Sequence, residues 1–203
     1  MPSQDSLAAA RRGTQRPAIN EMSPQPTDLQ PTLQDDLVLL RPLQQHDFDA
    51  LYAVASDPLI WEQHPAKDRC QEAVFRVFFD EAMASEGALV VLDKATQSVI
   101  GSSRYRRPAG VPDAVEIGWS FLARRCWGGR YNGSVKKLML EHAFGFAGHV
   151  FFLIDAHNAR SRRAVEKLGG RHLLEPGEAL AKSMSPNAVA YLIDKASWHS
   201  AGR

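Results

Sequence analysis

Between Ala114 and Phe146 three kinds of segment follow one another closely. "AVEIGWSFL" (114–122) alternates and is rich in β-branched and aromatic residues, as a strand requires. "CWGGRYNG" (126–133) is a glycine-rich turn. Val135, Leu138, Met139, His142, Ala143 and Phe146 then recur at helical spacing. A strand that runs through such a turn into a helix leaves the helix N-terminus open. Gly128, Gly129 and Gly133 lack the Cβ that would block an approach to the backbone. The first amides of a helix have no partner inside it, and its dipole favours negative charge there. No acidic residue lies between Glu116 and Glu141, while Arg124, Arg125, Arg130, Lys136 and Lys137 all do. The formal net charge of the whole chain is only +1, so this local excess points to an anion site of phosphate or pyrophosphate character.

Two phosphate motifs are excluded. Gly128 and Gly133 have the glycine spacing of a P-loop, but Ser134 and Val135 stand where Lys and Ser/Thr belong. A dinucleotide fold needs its glycines after the first strand of a βαβ unit, and here a block of strands precedes them.

The rest of the chain sets the frame. Residues 1–35 hold five of the twelve prolines and no aromatic residue, so they read as a disordered tail, with one folded domain over residues 36–203. "LVLLRPL" (37–43) reads as a strand. Phe48, Leu51, Tyr52 and Ala55 mark one face of a helix that Pro58 ends; Val74, Phe75, Phe78 and Ala82 mark a second, closed by Gly87. "ALVVLDKATQSVIGSSRYR" reads as two strands around a turn at 94–97, which with 114–122 makes an antiparallel meander. "VFFLID" (150–155) suits a buried strand, "NARSRRAVEKLGG" a short helix, "AVAYLID" (188–194) a last strand, with one more strand near 171–174. Helices between strands around an antiparallel block give a mixed α/β, or α+β, fold rather than a doubly wound parallel one.

Composition narrows the function. The charge balance disfavours nucleic acid and membrane surfaces as partners. No segment approaches the ~20 apolar residues of a membrane span, and the N-terminus shows no apolar signal core, so a cytoplasmic protein is expected. Cys70 and Cys126 form no C-x-x-C pair, and nothing pairs Cys126 with a histidine for acyl-cysteine chemistry. The seven histidines show no metal-ligand spacing, and no metal is expected; His64 reads as a turn residue and His142 as a core residue.

"VEIGWSFLARRCWGGRYNGSVKKLMLEHAF", an apolar strand, then "NARSRRAVEKLGG" resembles the GCN5-related N-acetyltransferases, in particular the branch of the ribosomal-protein N-terminal acetyltransferases. The resemblance covers about Leu37 to Trp198 and is densest over Val115 to Gly170. It implies a mostly antiparallel twisted sheet with about four helices, splayed between its fourth and fifth strands, 114–122 and 150–155. It also implies an acetyl-CoA-dependent acyltransferase acting on a primary amine: a protein N-terminus, a lysine or a small amine. A monomer or homodimer is expected. In the family the turn reads Gln/Arg-x-x-Gly-x-Gly/Ala and its amides hold the CoA pyrophosphate. That pattern falls on Trp127 to Asn132, with Trp127, Arg130 and Asn132 departing from it.

By resemblance the cosubstrate contacts are Gly128, Gly129, Arg130, Tyr131, Asn132 and Gly133, the backbone of Phe121 and Leu122 along the pantetheine arm, and Asn158. Asn132 and Asn158 also suit helix caps. Glu116 is the candidate base: flanked by Val115 and Ile117, it is either partly desolvated and raised in pKa or turned to solvent. The family's acidic tyrosine is replaced by Val165, so Ser161, at the serine spacing of the ribosomal-protein branch, is the candidate partner of the departing thiolate. Trp61 and Glu62, between the first two helices, are candidates to hold the acceptor. The alternative is a CoA- or anion-binding sensor or partner module without turnover, and another acyl group such as succinyl is chemically close.

Overall fold

In a computed structural model, residues 27–202 are described. Their strands are β1 Leu33–Gln34, β2 Val38–Pro42, β3 Ala88–Asp93, β4 Val99–Arg106, β5 Ala114–Leu122, β6 His149–Asp155, β7 Arg171–Leu173 and β8 Ala188–Asp194. The α-helices are α1 Phe48–Ala55, α2 Glu72–Ala84, α3 Tyr131–Ala143, α4 Ala159–Lys167, α5 Glu178–Ala181 and α6 Lys195–Ser200. The strands form one sheet in the order β1-β2-β3-β4-β5-β6-β8-β7. All neighbours are antiparallel except β5 and β6, which α3 joins as a parallel crossover.

β3 explains why its sequence is a continuous apolar run. Leu89 and Val91 belong to the core beneath α3, with Val38, Leu40 and Met139, whereas Ala88, Val90 and Leu92 belong to the core beneath α1 and α2. A strand covered on both faces has no polar side to alternate with. On α1, Phe48, Leu51 and Ala55 are buried; on α2, Phe75, Phe78, Phe79 and Ala82 are, and their rings stack into one aromatic layer with Trp61 and Phe121. Tyr105 crosses from β4 to the other face, where its hydroxyl donates to the Met139 carbonyl at 2.7 Å.

Several boundaries differ from the expectations. The tail expected over residues 1–35 lies outside the described residues as far as residue 26. Its last part is built into the sheet: Leu33 pairs with Leu40, and Leu29 and Leu33 pack on the α3 core. α3 ends at Ala143, so Phe146 packs from the following turn. Four α-helices have eight residues or more, and α5 and α6 are additional short ones. α6 is capped by Asp194, whose carboxylate accepts from the Ser197 amide.

The parallel β5–β6 pairing is short. It joins Ala114 to His149, Val115 to Val150 and Glu116 to Phe151, and ends there. Past Glu116 the two strands diverge and open a cleft.

Candidate active site

The turn between β5 and α3 is shaped by one residue above all. Gly128 has φ +67°, in the left-handed region, and a Cβ on it would meet nothing within 4 Å. A Cβ on Gly133 would also point into open space. Arg130, in the N-cap position, makes no side-chain cap, and the first turn of α3 holds no acidic residue. The helix start therefore keeps its unpartnered amides and the positive end of its dipole. The expected cap is corrected here: Asn132 sits inside the first turn and lines the cleft instead.

The basic excess is smaller at the turn than the sequence suggests. Arg124 bonds Asp57, Lys137 pairs with Glu141 at 3.7 Å, and Lys136 is buried in the cleft. Arg125 and Arg130 stay exposed beside the turn. Trp127 gives its indole N–H to the Leu122 carbonyl at 2.9 Å and lies under the Arg160 guanidinium at 3.9 Å, which ties the turn to α4. Tyr131 directs its hydroxyl to Asp93 at 2.5 Å.

The cleft has a volume of about 430 Å³ and runs between β5, β6, α3 and α4. A larger, more open depression of about 880 Å³ lies beside α1; of its charged groups, Asp57 and Arg124 bond each other and Arg125 stays exposed. The floor of the cleft is distorted. The β4–β5 register shifts between Ser102 and Arg104, and opposite this bulge Trp119 takes φ +51°. A tryptophan held left-handed is strained backbone of the kind found at functional sites. The Phe121 carbonyl lies against Gly101 of β4, and Leu122 already accepts from Trp127. The edge of β5 that faces the cleft beyond Glu116 has no ladder partner in β6.

Glu116 lies on the face opposite Val115 and Ile117, yet is only 3% exposed. Arg106 donates to its Oε2 from Nε at 2.8 Å and from Nη2 at 2.5 Å. Burial raises its pKa above the ordinary carboxylate value, and Arg106 and then Arg104 oppose that rise.

Asn158 caps α4: its Oδ1 accepts from the Ser161 amide at 3.1 Å. It is 7% exposed and lines the cleft, and its Nδ2 has no partner among the described residues. One end of the amide holds the helix while the other is free to donate. Ser161 lines the cleft with its hydroxyl unengaged among the described residues, and Val165 lies a turn further on.

Lys136 is the functional candidate that sequence reasoning placed elsewhere. It is 5% exposed; its Nζ donates to Ser103 at 3.1 Å and Ser120 at 2.5 Å and lies 5.8 Å from the Phe152 ring. No carboxylate reaches it among the described residues, and burial lowers its pKa to about 7. Its signal was spacing: Lys136, Leu140 and Ala143 form one buried helical row.

Trp61 is buried in the aromatic layer, gives Nε1–H to the Ala55 carbonyl at 2.8 Å and touches the cleft. Glu62 is exposed and outside the cleft lining. His64, half-buried, lines the cleft, whereas His142 donates from Nε2 to the Asp28 carbonyl, 2.7 Å away. Cys126 is buried, which raises its thiol pKa, and so is poorly suited to attack.

Residues 38–171 match the family model described as an acetyltransferase (GNAT) domain. Solved structures share the fold. A GCN5-related N-acetyltransferase from Brucella melitensis aligns with TM-score 0.71 and 20% identity, over 84% of this chain and 81% of that one. A GNAT-family protein from Chromobacterium violaceum ATCC 12472 aligns with TM-score 0.70 and 21% identity over 98% of both chains. RimJ from Mycobacterium smegmatis, solved with CoA-disulfide, aligns with TM-score 0.61 and 16% identity over 86% of this chain and 94% of its own. No helix among the described residues is long and apolar enough to cross a membrane.

Proposed function

The chain belongs to the acetyltransferase (GNAT) family, and from that membership we propose that it moves an acetyl group from acetyl-CoA to a primary amine by direct attack in a ternary complex. The observation that carries this reading is the meeting, in one cleft, of a buried carboxylate, a half-free capping asparagine and the first turn of an uncapped helix: Glu116, Asn158 and Asn132. The turn fits a pyrophosphate, because Gly128 and Gly133 leave room for a close approach and no acid opposes it. The M. smegmatis relative with its CoA-disulfide supports the same donor class.

Bound acetyl-CoA supplies the acetyl group as an activated thioester. On this reading the amides of Gly128, Gly129 and the first turn of α3, with Arg125 and Arg130, hold the pyrophosphate. The unpaired edge of β5 and the Asn158 Nδ2 receive the amides of the pantetheine arm as an added strand would be received. Glu116 takes the proton from the attacking amine; burial makes it a stronger base than an exposed glutamate, and the Arg106 pair favours its ionised form. The new N–C bond replaces the C–S bond, and the sulfur departs as a thiolate. Lys136, near pKa 7, hands its Nζ proton to that thiolate. The transfer is downhill, since an ordinary thiol has pKa ~8.5. Ser161 adds a hydrogen bond at the same end. Solvent then returns the Glu116 proton to Lys136.

A protein N-terminus, a lysine side chain and a small amine all satisfy this chemistry. The ribosomal-protein branch is supported by the spacing of Asn158 and Ser161. Glu116→Gln tests the assignment. It should lower kcat by about 10²–10⁴-fold while acetyl-CoA affinity stays unchanged; turnover at the wild-type rate would exclude Glu116 as the base.

A further inference from the structure

Around Glu116 the cleft gathers guanidinium donors. Arg69 and Arg106 line it, together with Trp119. Arg104 lies behind that ring, with its guanidinium carbon 4.7 Å from the ring centre. Arg106 is satisfied by Glu116. Arg104 is not: it is 6% exposed, and its Nε and Nη2 are buried without an acceptor among the described residues. Leaving charged donors buried and unpaired is costly, so natural sites retain them for a reason.

His64 sharpens the case. Its Nδ1 accepts from the Ala66 amide at 2.9 Å. Burial, then the adjacent Arg69, bring its pKa down to about 4, so the ring is neutral and has one acceptor and one donor. With Nδ1 as acceptor, Nε2 must carry the proton. Yet Arg69 Nη1, itself a donor, faces Nε2 at 3.1 Å. Two donors meet with no lone pair between them. Arg69 packs against Phe78 and Trp61, 4.5 and 5.5 Å from their ring centres, and has no carboxylate within ion-pair distance among the described residues. The surrounding acids do not close the account: Glu116 is held by Arg106, the exposed Glu81 and Asp68 act on Arg69, and Glu81 on Arg104, only through their fields, and Asp155, which lines the cleft but bonds His157, acts so on His64.

We infer that the acceptor is an amine that carries an anionic oxygen group, a carboxylate or a phosphate, seated by Arg69 and the His64 Nε2–H so that its amine is directed to Glu116. Arg104 adds its charge from behind Trp119, where low permittivity strengthens it. This rests on the acetyl-transfer reading for the role of Glu116, but the binding of the anion stands apart from it. Cationic acceptors such as polyamines meet the two unpaired guanidiniums of Arg69 and Arg104 and are disfavoured.

Matched amines differing only in the anion test the inference: L-glutamate against its diamide, and O-phosphoethanolamine against ethanolamine, with spermidine as the cation. Each is assayed for acetylation with acetyl-CoA and also titrated calorimetrically into the protein. At least one anionic member should exceed its neutral twin about tenfold or more in kcat/KM or affinity, and the pair that responds tells carboxylate from phosphate. Arg69→Met should erase that preference without changing acetyl-CoA affinity, and Arg104→Met should reduce it. Equal behaviour within both pairs, or preference for spermidine, overturns the inference. If acetyl-CoA fails to bind but the anion preference holds and Arg69→Met abolishes it, the transfer reading falls and the anion site stands.

Discussion

Replacing Lys136 by Met removes a charge that the fold has buried among apolar side chains and two serine hydroxyls. Met is also unbranched and fills the same channel. The serines lose little, because the Ser103 and Ser120 hydroxyls already bond each other at 2.7 Å. The pKa of Lys136 lies at about 7 in the folded protein against 10.5 ordinarily. At ~1.4 kcal/mol per pH unit, the penalty for keeping it protonated in the fold is on the order of 5 kcal/mol. The sign follows from linkage. Below about pH 7 the amine is charged in both states, and the wild type carries the full penalty. As pH rises toward 10.5 the native state has lost the proton and the unfolded state has not, so wild-type stability climbs. Lys136→Met should therefore be more stable than wild type at neutral and acid pH, and the gap should close by on the order of 2–3 kcal/mol between ~pH 7.5 and ~pH 9.5. Urea denaturation of both proteins across that range measures it, and subtracting the two curves removes the titrations they share. A gap that does not change with pH would refute the buried-amine argument.

Arg130→Glu should weaken acetyl-CoA binding about tenfold at low ionic strength, and added salt should erode wild-type affinity in the same direction; unchanged affinity in a titration of the variant removes Arg130 from the phosphate site. Tyr105→Phe takes away the buried bond to the Met139 carbonyl that joins β4 to α3, and should cost about 1–3 kcal/mol in chemical denaturation with little change in donor binding.

What was legible in the sequence is what local periodicity encodes. The helical rows of α1 and α2, the unbroken apolar β3 and the strand–turn–helix around Gly128 all follow from neighbours within a few residues. Asn158 was legible for the same reason, since its cap partner is Ser161. The rest depends on contacts between distant residues. Arg124 reads as part of a basic turn until Asp57 is brought to it from α1's end. Lys136 reads as the twin of Lys137 until the helix is docked and one of the pair faces Ser103 and Ser120. The donors around His64 become visible only when the Ala66 amide decides the tautomer. β1 was hidden because two residues carry no period and are defined by pairing alone.

The most direct test of acetyl transfer is calorimetric titration of acetyl-CoA into the wild type and Glu116→Gln, with NAD and ATP as controls and thiol release followed in the presence of amines. Selective, equal binding of acetyl-CoA by both proteins, with thiol release only from the wild type, is the result expected. Absence of acetyl-CoA binding by the wild type would contradict the account, because the turn at Gly128 and the cleft beyond it would then not be a cradle for this donor.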